Sequence, residues 1–301
     1  MAEPAEALKP AAVPKSAPAP ATAPPSGRVR VDLATVAGIA LALAGILGGL
    51  LLEKGSIQDV AQVTAAMIVM GGTIGAVLVT TPLPVFLRAV KGMGNVFIER
   101  SSSTSEMIEN LIQFATKARK NGIVSLEMEA AKIPDPFLRK ALSLAVDGTD
   151  MQELRKMMEV EMALAEHVAE GDAKVWESAG GYAPTIGIIG AVMGLIQVMK
   201  HLEDIKEVGH GIAVAFVATV YGVGSANLFF LPAATKLRTR ARQVSLLKEM
   251  ILEGVVGIVE GLNPTLIRMK LEAFNGDAKA KPAKGKESAR PEAVKAGGGR
   301  P

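Results

Sequence analysis

The sequence predicts an all-α membrane protein, with four transmembrane helices in two hairpins and a large cytoplasmic helical domain between spans two and three. Three observations carry that prediction. Hydrophobic residues make up 49% of the 301 positions while aromatics make up only 4%, a mixture suited to helices packed in lipid through Ala, Gly, Val, Ile and Met. Four apolar runs, Leu33–Leu52, Val60–Thr80, Ala179–Met199 and Gly211–Leu231, reach the roughly 20 residues that a bilayer core demands. Within each pair the link is short, EKGSIQD in the first and KHLEDIKEVGH in the second, which leaves room only for a helical hairpin.

The elements follow in chain order. Residues 1–30 form an Ala/Pro-rich tail. Its first part, MAEPAEALKPAAVPKSAPAPATAPPSG, lacks the charged-then-apolar layout of a signal peptide and predicts a disordered cytoplasmic extension. Residues 31–81 hold the first hairpin, with spans at 33–52 and 60–80. Residues 82–178 alternate charge with helix-spaced apolar positions. There Ser105–Lys120 places Met107, Ile108, Leu111, Ile112, Phe114 and Ala115 at helical intervals behind a Ser-Glu start. Met151–Glu170 predicts a longer amphipathic helix led by Asp150, with Leu154, Met157, Met158, Met162 and Leu164 on one side. Methionine is a common filler between packed helices, so this stripe reads as packing and not as a cofactor box. Residues 179–232 hold the second hairpin, with spans at 179–199 and 211–231. Residues 233–274 predict a cytoplasmic helix, and 275–301 a second disordered tail rich in lysine.

Basic residues set the orientation. Arg28 and Arg30 precede span one; Arg88, Lys91 and Arg100 follow span two; Lys236, Arg238, Arg240 and Arg242 follow span four. The two links hold only Lys54, Lys200 and Lys206, offset by Glu53, Asp59, Glu203, Asp204 and Glu207. The positive-inside rule therefore puts both termini and the large loop in the cytoplasm. A net charge of +3 with the basic residues at span ends and in the tails speaks for membrane topology before nucleic acid.

The missing chemistry is informative. With no cysteine, disulfides, thiol catalysis and cysteine-held metal are excluded. Three scattered histidines, His167, His201 and His210, make no metal cluster, and neither HExxH, a nucleophile elbow nor a Walker sequence is present. Enzyme activity and a bound cofactor therefore find no support. Transporters usually carry ionisable residues inside their spans, because such groups are costly there and survive for function. The four runs contain none. Their polar content includes Gln62, Thr64, Thr73, Thr185, Gln197, Thr219, Tyr221, Ser225 and Asn227 and is confined to amides and hydroxyls, from which no proton relay can be built at neutral pH. If ions pass, another subunit must bring the carboxylate.

Two further features stand out in spans three and four. Small residues recur at close-packing spacing: Gly187, Gly190 and Gly194 in one, Gly222, Gly224 and Ala226 in the other. Such a face serves ordinary bundle packing or accommodates a foreign helix, and the sequence leaves both open. Pro184 and Pro232 sit near the cytoplasmic ends of these spans, at matching depth. Each removes a backbone donor, and together they make a candidate hinge.

At this point the residues resemble a known family. GGYAPTIGIIGAVMGLIQ, AVAFVATVYGVGSANLFFLPAATKL, EGVVGIVEGLNPTLI and, in the loop, KARKNGIVSLE look like the A subunit of the bacterial flagellar motor stator, the MotA/PomA family. The resemblance runs from about Val31 to Phe274. It implies a homopentamer of A subunits around two single-span, MotB-like B subunits in the inner membrane. Ion flow past an aspartate of the B subunit then drives rotation. By the family pattern, Pro184 and Pro232 match the prolines that couple ion passage to conformational change. Arg119 and Glu127 match the charges that engage the rotor protein FliG. Sodium-using members carry a threonine seven positions after the first proline and another in the fourth span. Here those positions are Ala191 and Thr219. A methyl cannot replace a hydration oxygen of sodium, so Ala191 favours protons, with Thr185 a nearby hydroxyl that could substitute. The alternative within the same superfamily is an ExbB/TolQ-type energising subunit for envelope transport, which has three spans and an outside N-terminus. A membrane scaffold without ion flux is the rival from another class.

Overall fold

The computed structural model describes residues 28–101 and 104–275, which are almost wholly helical. Four helices are long and apolar enough to cross a membrane: Leu33–Leu52, Ile57–Thr80, Met151–Lys200 and Ile205–Val259. The two tails, apart from 28–30 and Asn275, lie outside the described residues.

Residues 28–30, read from the sequence as tail, belong to a strand instead. β1 (Arg28–Val31) pairs antiparallel with β2 (Ile98–Ser101), Val31 opposite Ile98 and Arg28 opposite Ser101. The expectation of an all-helical chain therefore needs this small ribbon added. Asp32 then caps α1 (Leu33–Leu52) by accepting the Thr35 N–H. No residue of α1 is buried. Its main contacts are with α2 (Ile57–Val60) beside the link and, at the other end, with α6 (Gly94–Phe97) and the segment Ala226–Phe230.

The second span is not one regular helix. After α2 the backbone breaks at Ala61–Gln62, then resumes as α3 (Val63–Ala66), a π-helical turn Met67–Gly71, and α4 (Gly72–Thr80). A broken helix in lipid must have its freed polar groups satisfied elsewhere. The Tyr221 hydroxyl does this: it donates to the Val60 carbonyl at 2.6 Å and accepts the Gln62 N–H at 3.3 Å. Pro82 ends the span and opens the amphipathic α5 (Leu83–Gly92), since the residue before a proline is pushed out of the helical region.

The polar domain packs α7 (Thr104–Asn121), α8 (Glu127–Ala130) and α9 (Pro136–Val146) around the outer part of α10 (Met151–Lys200). The end of α12 (Leu231–Val259) and α13 (Pro264–Glu272) complete it. Leu111, Leu126, Leu138, Leu142, Met250, Ile251 and Leu271 fill the centre. Of the predicted 151–170 stripe, Leu154 and Met158 are fully buried and Met162 packs beside them, whereas Met157 and Leu164 face outward. Those three keep a strict four-residue step, and the other two fall off it.

The largest departure from the sequence reading is continuity. Met151–Glu170 and the third span are not separate helices but one helix of 50 residues, about 75 Å long at 1.5 Å per residue. After residues 201–204 the chain returns as α11 (Ile205–Ser225), a π-helical turn Ala226–Phe230, and α12. The predicted 233–274 helix ends at Val259. Gly261 adopts a positive φ of 69° there, and Asn263 caps α13. Spans three and four thus pass without interruption from the apolar segment into the polar domain.

Candidate functional site

The paired α10 and α11 form the centre of the apolar segment. Glycine sets how closely they approach. A Cβ on Gly222 would stand 2.6 Å from the Ala183 carbonyl oxygen, and one on Gly187 would stand 2.9 Å from that of Ala218. Further along, one on Gly194 would lie 2.8 Å from the Gly211 carbonyl oxygen. These neighbours are backbone and cannot move aside. Gly187, Gly190, Gly194 and Gly222 therefore serve packing within the chain, the first of the two uses left open by the sequence. Gly224, by contrast, has nothing within 4 Å. The outward faces of the pair are apolar, with Ile188, Val192, Leu195, Ile196, Phe216, Val220 and Val223 exposed.

Pro184 lies inside α10 without ending it and is half-buried. Its missing N–H leaves the Gly180 carbonyl without the usual helical donor. Pro232 is exposed and is the second residue of α12, directly after the π-helical turn. The wider turn lets the chain pass a proline ring that would otherwise clash with the Leu228 carbonyl. The two prolines are not at equal depth. Leu231 packs on Gly180, four residues before Pro184, so Pro232 sits about one turn nearer the polar domain. Trp176, on the facing side of α10, stacks on Phe230 with centroids 6.0 Å apart and meets Phe229 edge-on at 6.4 Å. The irregular turn is thus wedged by aromatic rings.

The candidate ion-pathway residues divide by position. Thr219 is half-buried, donates its hydroxyl to the Ala215 carbonyl at 3.3 Å, and has its Cα 3.5 Å from where a Gly187 Cβ would stand. Ala191, also half-buried, lies one turn beyond Gly187 and so about one turn from the level of Thr219. Thr185 is exposed, donates to the Tyr182 carbonyl at 2.8 Å, and lies roughly 120° round the helix from Ala191. The structure therefore sets Thr219 beside Gly187, with Ala191 about one turn beyond and Thr185 on a different face of α10.

Arg119 ends α7, and Glu127 opens α8 after Gly122 (φ 80°) and a 3-10 turn, Ile123–Leu126. Both are exposed, and neither makes an ion pair among the described residues, although Lys117 and Glu129 beside them pair with each other. Arg119 also lines a cavity of about 380 Å³ with Ile123, Ala145, Ile258 and Leu262.

Sequence reasoning counted the basic residues after spans two and four only as topology markers. The structure gives many of them acids. Arg88 meets Asp172 at 2.7 Å, Arg238 makes a two-pronged contact with Glu177, and Arg240 and Lys236 both reach Asp32. Burial pushes the Asp172 carboxyl up despite Arg88, whereas Arg238 holds Glu177 down. Their partners lie on α10 or at the start of α1, too far along the chain for any local pattern to reveal. Among the described residues no three His, Asp or Glu side chains gather as metal ligands.

Two family models match: the MotA/TolQ/ExbB proton channel family over residues 129–250 and the motility protein A N-terminal model over 36–122. Motility protein A of Helicobacter pylori is 36% identical over 241 residues, 80% of this chain and 94% of the relative. Motility protein A of Bacillus subtilis is 34% identical over 80% of this chain and 90% of its own length. The solved C. jejuni MotAB structure superposes with a TM-score of 0.79 at 32% identity, over 84% of this chain and 99% of the other. By these matches the chain belongs to the MotA/TolQ/ExbB proton channel family, among its motility protein A members, the stator subunits of the flagellar motor.

Proposed function

We propose that this chain is the A subunit of a proton-driven stator, with five copies surrounding two MotB-like B subunits in the inner membrane. Both termini and the polar domain face the cytoplasm. The observation that carries this reading is an apolar helix pair that has no ionisable side chain, yet is loosened by Pro184 and by the π-helical turn before Pro232. Such a pair offers a proton no resting place of its own, so the carboxylate comes from the B subunit. It can change shape when that carboxylate loses its charge. Ala191 presents a methyl where a sodium-using member carries a hydroxyl, which favours a proton over a sodium ion needing several oxygens. The helices that line this region run unbroken into the polar domain, so a tilt at the seam is carried to the far end. There Arg119 and Glu127, which make no ion pair among the described residues, are available to oppositely charged residues of FliG. The match to the motility protein A N-terminal model over 36–122 favours the stator reading over the ExbB/TolQ reading.

The test is co-expression with a MotB-like partner, reading partner-dependent proton leak and rotation of tethered cells. Wild type is expected to give both. Pro184→Ala is expected to reach the membrane at normal level but give no rotation; normal rotation would remove Pro184 from the coupling role.

A further inference from the structure

Asp32 sits where three parts of the chain meet. It is only 8% exposed. Its backbone N–H donates to the Phe97 carbonyl at 2.9 Å, which ties it to the end of α6 beside the ribbon. One carboxylate oxygen accepts the Thr35 N–H at 3.0 Å; the other accepts Arg240 at 2.7 Å and the Lys236 ammonium. Arg240 also donates to the Ile98 carbonyl at 2.6 Å, and Lys236 to the Thr35 hydroxyl. Lys236 and Arg240 follow Pro232 by four and eight residues, so all three share one face of α12. A single carboxylate thereby joins the start of α1, the ribbon and the first turns of α12.

Directly beyond this contact the packing stops. A cavity of about 290 Å³ separates α1 from span four, lined on one side by Gly38, Ile39 and Ala42 and on the other by Asn227, Phe229 and Pro232. The backbone on the span-four side is the π-helical turn Ala226–Phe230 followed by proline, the most irregular part of that helix. A void beside an irregular turn, bounded by a charged joint, is the arrangement of a bend next to a fixed end.

We propose that Asp32 is a positioning residue for torque transmission. It binds α1, the ribbon and the start of α12 into one body, so that a bend at residues 226–232, moving into the neighbouring void, swings this body together with the polar domain. This rests on the ion-coupled stator reading above. A joint of this kind is needed for rotation and not for ion passage, which separates it from a merely structural ion pair.

The experiment uses the full stator co-expressed with its B partner and reads membrane level, proton leak and rotation. Asp32→Asn keeps a good helix cap but removes the charge. It is expected to abolish rotation while leaving membrane level and leak close to wild type. Asp32→Glu, which keeps the negative charge opposite Lys236 and Arg240, is expected to retain part of the rotation. Gly38→Leu leaves the joint intact and fills the void, where Gly38 has no neighbour within 4 Å; it too is expected to lose rotation and keep leak. Loss of leak and membrane level together with rotation in Asp32→Asn would make the contact structural and overturn the proposal, as would normal rotation in Asp32→Asn; normal rotation in Gly38→Leu would overturn the bend into the void. Absence of leak in the wild-type complex would instead overturn the stator reading itself.

Discussion

Span one and the seam between spans three and four are written in the same small and aliphatic residues, yet they end up in opposite situations. In the seam, Gly187, Gly194 and Gly222 press against backbone of the facing helix. In span one, Gly38, Gly45, Gly48 and Gly49 have nothing within 4 Å, and no residue of the helix is buried. The seam is held along its length by close backbone approach; span one is held mainly at its ends, by the Asp32 joint and the link. Glycine in an apolar helix thus signals permission for close approach, and only a partner at the right height turns that permission into a contact.

The contrast can be broken most directly at the glycines. Gly222→Ala is expected to cost about 1–3 kcal/mol or more, because the new methyl meets the Ala183 carbonyl and neither backbone can yield. Gly45→Ala in span one is expected to change stability by less than about 1 kcal/mol, and in the stabilising direction, since alanine is the better helix former. Thermal unfolding of the purified protein in detergent measures both, and equal effects would erase the distinction. An effect of comparable size belongs to the break in span two. Tyr221→Phe removes the hydroxyl that serves both Val60 and Gln62 and leaves those backbone groups unpaired. A loss of about 1–3 kcal/mol is expected in the same assay; no loss would mean that another group satisfies the break.

The smallest effect concerns pH, because charge holds span one and not the seam. Lys236, followed by the Thr35 N–H, keeps the Asp32 carboxyl well below the usual carboxylate range. A depressed carboxyl contributes its full stabilisation above its ordinary value and loses it as pH falls from there through the folded value. The joint is therefore expected to survive the ordinary carboxylate range and open only in stronger acid. The chain has no cysteine of its own, so spin labels placed at Ile39→Cys and Phe229→Cys report the gap cleanly. Broadening of their distance near pH 4 would contradict the assignment, whereas labels across the seam should show no response at any pH that leaves the polar domain folded.

Much of this was legible in the chain itself. Apolar run length is a local property, and each of the four runs falls within a helix long and apolar enough to cross a membrane. Helical spacing likewise identified Ile108, Leu111 and Ala115 as a buried face. The continuity of span three with the helix before it was hidden, because a change from charged to apolar residues looks like a boundary while the backbone hydrogen bonds continue through it. Among the candidate site residues, the placement of Thr219 beside Gly187 and the one-turn offset of Pro184 from Pro232 depend on how α10 and α11 slide against each other, which no single-helix pattern encodes. Tyr221 appeared only as one of the few polar residues in the spans; its partner lies 161 residues away. Asp32 and Arg240 are 208 residues apart.

The sequence by itself determined which segments are apolar enough to cross a membrane, which face of the polar helices is buried, and that the apolar runs carry no charge to hold an ion. Each follows from residue type and period along one helix. The tertiary structure alone decided which glycines form the seam, which basic residues are paired and where a void is left beside Pro232. Those are properties of pairs of helices brought together from distant parts of the chain, and a partner's height and distance exist only once the helices are packed.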